Sequence, residues 1–290
     1  MDFNNKWYHV IAFTIIIIWG TTFISTKILL INGLSPETIF LFRFVLAYIG
    51  ILFFEHKQLF ANSWRDEFTF LLIGITGGSA YFLTENYALK ITQASNVSLI
   101  VCIAPLLTAI LSHIFLKNEK LNSRLIQGAF IALFGVAFVV FNGNFILKLN
   151  PLGDILSFLA ALSWAFYTIL FKRLSNRYSI GFITRKVFFY GILTILPVFL
   201  INPITFEKSV FFQPAVYLNL LFLGIVASLF CYFFWNMTVK RLGAIQTTNY
   251  VYFIPMITLI SSSLILDEKI TVLAIIGMLL ILAGVFWAEK

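Results

Sequence analysis

Charge is scarce in this 290-residue sequence: only 11% of its residues are Asp, Glu, Lys or Arg. An ordinary globular domain carries about a quarter. A chain that is 60% hydrophobic, with a mean hydropathy of +0.96, has little polar surface to offer water. That excludes a soluble enzyme or binding domain of this length. Chemistry-bearing motifs are missing as well. The sequence has no phosphate-binding Gly-rich loop, no metal-ligand spacing among its three histidines and two cysteines, and no nucleophile elbow. No enzyme, ATPase domain, cofactor or resident metal is therefore expected. Cys102 and Cys231 both sit inside apolar runs, where packing rather than a disulfide is the ordinary role. The net charge of +8 would suit nucleic acid, but the basic residues lie in short loops between apolar runs, so no nucleic-acid partner is expected. A cleavable leader is not expected either. The apolar run from Tyr8 is too long for one, and no small-x-small site follows it.

Long apolar runs are what the sequence has in abundance. A helix needs about 20 residues to cross the hydrocarbon core. The expected fold is an all-α integral membrane protein of ten transmembrane helices, near residues 8–30, 36–54, 67–89, 94–116, 122–141, 152–171, 180–201, 215–239, 244–266 and 271–288. Polar punctuation separates them: Asn32-Gly33-Leu34-Ser35-Pro36 reads as a turn with proline at a helix start, and Asn142-Gly143-Asn144 with Asn150-Pro151 brackets the connection between halves. Alternate loops collect fourteen lysines and arginines on one side and five on the other. The basic-rich side is expected in the cytoplasm. Both termini then lie there, in a multi-pass protein of the cell's inner or plasma membrane, and an even number of spans follows.

The chain also repeats itself. Gly74 to Lys90 aligns with Gly224 to Lys240 at a constant offset of 150, and the register continues through Ala94/Ala244 and Pro105/Pro255. Glu119/Glu268, Gly128/Gly277 and Gly135/Gly284 follow at 149, while Trp19/Trp164 and Lys27/Lys172 precede at 145. Arg43 and Tyr48 match Arg185 and Tyr190 at 142. Two units result, residues 8–141 and 152–288, each of five spans. An odd number of spans places the second unit upside down relative to the first. Inverted repeats are a signature of secondary transporters, because exchanging the shapes of two related halves moves access from one face to the other.

Several residues are candidates for a substrate cavity. Pro105 and Pro255 fall mid-span in helices 4 and 9, where proline interrupts the hydrogen-bond ladder; matched interruptions point to a central site. Gly74-x-x-x-Gly78 and Gly224-x-x-x-Ser228 read as close helix packing. Ionisable groups inside spans are costly and default to functional candidates. Arg43 and Glu85 lie at similar depth, about 10 Å and 7 Å from the same side at 1.5 Å per residue. They are expected to form an ion pair, either facing the cavity or locking helix 2 to helix 3. Lys27, near a helix end, is a further candidate that can also snorkel to the interface. Glu85 has no acidic counterpart, since its repeat equivalent is Trp235. Trp19, Tyr81, Trp164, Tyr167, Tyr232 and Trp235 complete the set as polar-tipped aromatics of the kind that line small-molecule sites. With 34 phenylalanines present, an aromatic lining says little about an aromatic substrate.

These motifs resemble those of a known family. Ala88 to Ser95, Pro105-Leu-Leu-Thr-Ala, Glu119-Lys-Leu, Gly128 and Gly135 resemble the EamA repeat of the drug/metabolite transporter superfamily. So do Lys240-Arg-Leu-Gly-Ala, Pro255, Asp267-Glu-Lys, Gly277 and Gly284, while Trp19-Gly-Thr-Thr-Phe with Lys27, Pro36 and Arg43 resembles the family's first two helices. The resemblance implies ten helices, cytoplasmic termini, alternating access and, in many members, export of amino acids or other metabolites. It implies a structural, membrane-boundary role for Glu119 and Glu268. The expected partners are a small-molecule substrate and the lipid bilayer, with homodimerisation left open. Uptake of a sugar or nucleotide-linked metabolite, and a non-transport membrane sensor or enzyme, are the alternatives.

Overall fold

A backbone group in hydrocarbon has no water to bond, so a chain this apolar satisfies its peptide groups within helices. The computed structural model of the protein describes residues 3–92, 94–116, 122–141, 150–203, 208–266 and 270–289, and all regular structure among them is helical. Glu119, Glu268, the Asn142-Gly143-Asn144 turn and the loop lysines Lys117, Lys120, Lys148, Lys269 and Lys290 lie outside the described residues. The first half comprises α1 (Phe3–Ile31), α2 (Pro36–Leu52), α3 (Trp64–Gly74), α4 (Ala80–Ile91), α5 (Ala94–Val101), α6 (Ala104–Phe115) and α7 (Ser123–Phe141). The second comprises α8 (Pro151–Leu174), α9 (Ile180–Ile195), α10 (Val198–Ile201), α11 (Pro214–Leu221), α12 (Cys231–Leu242), α13 (Ala244–Thr248), α14 (Ile254–Leu266) and α15 (Val272–Glu289). Among the described residues, seven helical stretches, Lys6–Ile31, Trp64–Ile91 and Pro214–Leu242 among them, are long and apolar enough to cross a membrane. Outward-facing side chains such as Phe134, Leu264, Leu279 and Phe286 are exposed, as a lipid-facing surface requires.

Local sequence sets the helix ends. Ser35, Ser63, Asn150 and Ser179 each accept a backbone N–H from the first turn of the helix they precede, and Pro36 and Pro151 open two of those helices. α1 stops in a Schellman turn: Leu34 N donates to Leu29 O, Gly33 N donates to Leu30 O, and Gly33 has φ +89°. Leu29 and Leu34 then bury together in one apolar cluster, which fixes the approach of α2. Gly243, at φ +101°, makes the corresponding sharp turn from α12 into α13.

Irregular stretches recur at matched positions. A π-helical segment, Ile75–Ser79, joins α3 to α4, and another, Phe222–Phe230, joins α11 to α12. α5 breaks at Cys102 and Ile103 before α6, and α13 passes through a 3-10 turn, Asn249–Phe253, before α14. The two prolines therefore do not kink a continuous helix. Pro105 sits at the first turn of α6 and Pro255 is the second residue of α14, where a missing N–H costs nothing.

Lipid tails are as apolar as leucine, so helices here associate by close packing. α7 and α15 run antiparallel, with reciprocal glycine contacts: a β-carbon added at Gly128 would lie 2.5 Å from Gly284 O, and one at Gly135 would lie 2.5 Å from Gly277 O. Gly74 meets Tyr190 of α9, and Gly224 meets Leu46 of α2, so each half inserts a helix against the other. We expect Gly135→Leu to force these backbones apart. Overpacking of this kind costs about 1–3 kcal/mol, read as a lower melting temperature of the detergent-purified protein. An unchanged melting temperature would show that the α7–α15 contact contributes little.

Candidate functional site

Beside the irregular stretches lies a small central cavity with about 40 Å3 of room for water-sized groups. α1 contributes Trp19, Thr22 and Phe23, α2 contributes Arg43, and α4 contributes Tyr81, Phe82 and Glu85. Val101 and Ala104 flank the α5–α6 break. From the second half come Trp164, Tyr232, Val251 and Ile254. Each of those four is the repeat counterpart of a first-half lining residue: Trp19/Trp164 are 145 apart, while Phe82/Tyr232, Val101/Val251 and Ala104/Ile254 are 150 apart. The cavity is thus bounded by equivalent surfaces of the two halves.

Polar tips of the aromatic walls stitch the halves together. Trp19 Nε1 donates to Ala227 O at 3.0 Å, and Tyr232 Oη donates to Gly77 O at 2.7 Å. Gly77 and Ala227 are themselves 150 apart and lie in the two π segments. Cys102 Sγ reaches Val251 O at 3.7 Å, so the two broken helices also touch. Trp19 packs edge-on to Trp164 with centroids 5.3 Å apart, and Tyr81 lies 5.2 Å from Trp164.

The symmetry of the walls does not extend to the charges. Arg43 and Glu85 both line the cavity and both are nearly buried, yet the expected ion pair between them is not formed. Arg43 Nε instead donates to Ser228 Oγ at 2.9 Å, and its guanidinium lies 4.1 Å over the Phe82 ring. Glu85 Oε1 accepts from Tyr81 Oη at 2.7 Å, one helical turn earlier. The reason is reach: each group has a nearer partner that fixes its rotamer. Arg43 keeps its terminal nitrogens, and Glu85 its second oxygen, without a hydrogen-bond partner among the described residues. Opposite charges therefore border one space with hydrogen-bonding capacity to spare.

The remaining sequence candidates fall outside the lining. Tyr167 and Trp235 form a second layer: Tyr167 Oη donates to Asn236 Oδ1 at 2.6 Å, and the Trp235 ring lies tilted against Trp19 with centroids 4.9 Å apart. Pro105 and Pro255 follow the lining residues Ala104 and Ile254 by one position. Lys27 donates to Leu89 O at 3.1 Å, and Lys172 donates to Val239 O at 3.0 Å and Lys240 O at 3.3 Å. Both lysines thus cap carbonyls in the last turn of α4 or α12, where cations complement the helix dipole. Ser228 is the residue that sequence reasoning misplaced, reading it as packing only. Phe82, Val101, Val251 and Ile254 were missed because apolar residues carry no chemical signal. The offset of 150 would have paired them once one member was known.

Comparison with known proteins gives a consistent picture. The model of the EamA-like transporter family matches residues 6–141 and 151–288. An uncharacterized transporter of Archaeoglobus fulgidus is 28% identical, over 98% of this chain and 97% of that protein. A probable amino-acid metabolite efflux pump of Escherichia coli is 25% identical, over 96% and 93%. A solved crystal structure superposes with a TM-score of 0.77 over 97% of this chain and 98% of the other at 19% identity, which shows the same fold.

The assignment of Lys27 to a helix end has a measurable consequence. We expect Lys27→Met to lower stability by about 1–2 kcal/mol, with Lys172→Met doing the same. Ligand affinity measured on the purified protein should not change. A Lys27→Met protein of full stability and weakened ligand binding would return Lys27 to the cavity.

Proposed function

The chain belongs to the EamA-like transporter family, and from that membership we propose that it is a secondary-active exporter of amino acids or related amphipathic zwitterions. The observation that carries this reading is the separated charge pair. Arg43 offers two unpartnered nitrogens to a carboxylate, and Glu85 offers one oxygen to an ammonium, while Trp19, Tyr81, Trp164 and Tyr232 supply an apolar wall for the side chain. A planar guanidinium suits a carboxylate in particular. Ala104 and Ile254 place the N-termini of α6 and α14 beside the same space, and helix N-termini favour anionic groups. The name of the Escherichia coli relative agrees with this substrate class.

The cycle is alternating access by two inverted units of five spans each, residues 8–141 and 152–288. Several matched features support that arrangement: the reciprocal Gly128/Gly284 and Gly135/Gly277 contacts, the paired lysine caps, and the two π-segment carbonyls reached from the opposite half. The bias of lysine and arginine in the loops supports cytoplasmic termini in an inner or plasma membrane. A sugar- or nucleotide-linked carrier is the weaker reading, because Arg43 is the only lysine or arginine lining the cavity among the described residues.

Reconstitution tests the proposal. Vesicles containing the protein should exchange amino acids bearing apolar or aromatic side chains in counterflow, and should prefer them to the matching amines or carboxylates. Arg43→Ala and Glu85→Gln should each weaken apparent affinity by about tenfold or more, the loss that goes with one charge-assisted hydrogen bond. Equal exchange of amines and zwitterions, or no exchange of any metabolite, would rule the substrate class out.

A further inference from the structure

A second polar cluster lies far from the cavity, at the end of the bundle where α3 begins. Glu67, in the first turn of α3, accepts from both Lys186 and Tyr190 of α9 on one oxygen, and from Ala61 N at 2.7 Å on the other. Next to it, Asp66 pairs with Arg177 at 2.8 Å and accepts from Tyr178 Oη at 2.7 Å. Arg185 donates to the carbonyls of Glu55, at 2.8 Å, and Gln58. Apart from the Ala61 contact, every one of these links joins the first half to the second. They differ in weight. The Arg177 side chain is 57% exposed, and an exposed pair contributes little. Lys186 and Glu67 are 4% and 11% exposed, so their pairing is shielded, and losing one partner would strand the other charge.

Three features connect this cluster to the cavity. The helical column carrying Glu67 reaches the lining residue Tyr81 fourteen residues later, about 21 Å along at 1.5 Å per residue. Between them lies the π segment Ile75–Ser79, in which Gly78 takes non-helical angles (φ −130°, ψ −105°) and interrupts the ladder. Along that stretch the halves are in contact, with Gly74 against Tyr190 and Gly77 against Tyr167. Contacts between the halves therefore line the stretch from the cavity to this end. The opposite end has a different seal. The repeat counterparts of Glu67 and Lys186 are Tyr217 and Phe44, neither of which is charged, and there Leu29, Leu34 and Ile39 bury against Val216, Leu220 and Leu223.

We infer that Glu67, Lys186 and Tyr190 form the latch that closes the cavity towards the basic-loop face, with α3 as the moving leaf and Ile75–Ser79 as its pivot. The inference rests on the transport reading above, under which that face is cytoplasmic. Opening inward then requires parting a buried ion pair, whereas opening outward parts the apolar cluster and neutral hydrogen bonds such as Asn202 Nδ2 to Tyr87 Oη at 3.4 Å and Asn150 Nδ2 to Ile91 O at 2.9 Å. Glu67 and Lys186 thus act through conformation and do not touch substrate.

The test uses a cavity reporter, Thr22→Cys, in a chain carrying Cys102→Ala and Cys231→Ala, labelled with a membrane-impermeant maleimide in inside-out and right-side-out vesicles. Glu67→Gln should raise the labelling rate from the cytoplasmic side about tenfold or more, the weight of one charge-assisted hydrogen bond. Tyr190→Phe should give a smaller rise. The exchanged pair Glu67→Lys with Lys186→Glu should bring the rate back towards that of the reporter chain, which a merely structural contact would not require. If Glu67→Gln does not yield folded protein, Tyr190→Phe and the exchanged pair decide. Cytoplasmic-side rates unchanged in every folded variant, in vesicles that still exchange metabolite, would overturn the latch and leave the transport reading standing. Absence of exchange by the reporter chain and the unmodified protein alike would remove the transport reading on which the latch rests.

Discussion

Peptide groups that leave a helix inside a membrane must find partners within the protein. That single constraint organises this molecule. Its breaks are gathered at the centre and at matching positions: the π segments Ile75–Ser79 and Phe222–Phe230, the α5–α6 break, and the 3-10 turn Asn249–Phe253. Carbonyls there are claimed from across the interface, Gly77 O by Tyr232, Ala227 O by Trp19 and Val251 O by Cys102. The cavity is the space these interruptions leave between two regular halves. Its walls are aromatic because a side chain with an apolar body and a polar tip can bond a carbonyl and still face an apolar space.

Charge follows a stricter accounting. Burying an ionised group without compensation is costly, and ion pairing is the usual remedy. At the Glu67–Lys186 contact the remedy is complete, since the carboxylate also accepts from Tyr190 and Ala61. In the cavity it is partial. Ser228 and the Phe82 ring hold Arg43, and Tyr81 holds Glu85, yet hydrogen-bonding capacity remains on both. A protein selected for stability alone would close such a pair. Open valences of opposite sign in one cavity are what a ligand with both charges would complete.

How much of this was legible in the sequence depended on the kind of signal. Helical regular structure followed from apolar run length, and several helix starts from Ser35, Pro36, Asn150 and Pro151. The offsets read from the chain also picked out residues that face each other in space, Trp19 with Trp164 among them. Depth along a helix is readable, so Arg43 and Glu85 were placed at the same level and do line one cavity. Rotamer choice is not readable, and the expected pair failed because Ser228 and Tyr81 lie closer. Lys27 misled for a related reason: a charge inside a span looks functional until its carbonyl partner is seen. The latch was hidden because its members are loop-end charges of a kind that occurs on any membrane protein.

The deepest division in the structure is between a framework that repeats and a chemistry that does not. Trp19, Phe82, Val101 and Ala104 line the cavity together with their own counterparts, as the proposed exchange of two halves would require. Arg43, Tyr81 and Glu85 all come from the first half, and the positions equivalent to Tyr81 and Glu85 hold Cys231 and Trp235. A symmetric ligand site would present the same groups in both states and could not orient a substrate. Under the proposed cycle, placing every charged contact on one half would let that half carry the ligand while the other, apolar at its lining positions apart from the tips of Trp164 and Tyr232, slides past it. The proposed latch obeys the same division, since one end is held by a buried ion pair between the halves and the other by an apolar cluster with neutral hydrogen bonds. Under the proposed cycle, pseudosymmetry would make two states available, and the unshared side chains would decide what each state holds and how firmly each end stays shut.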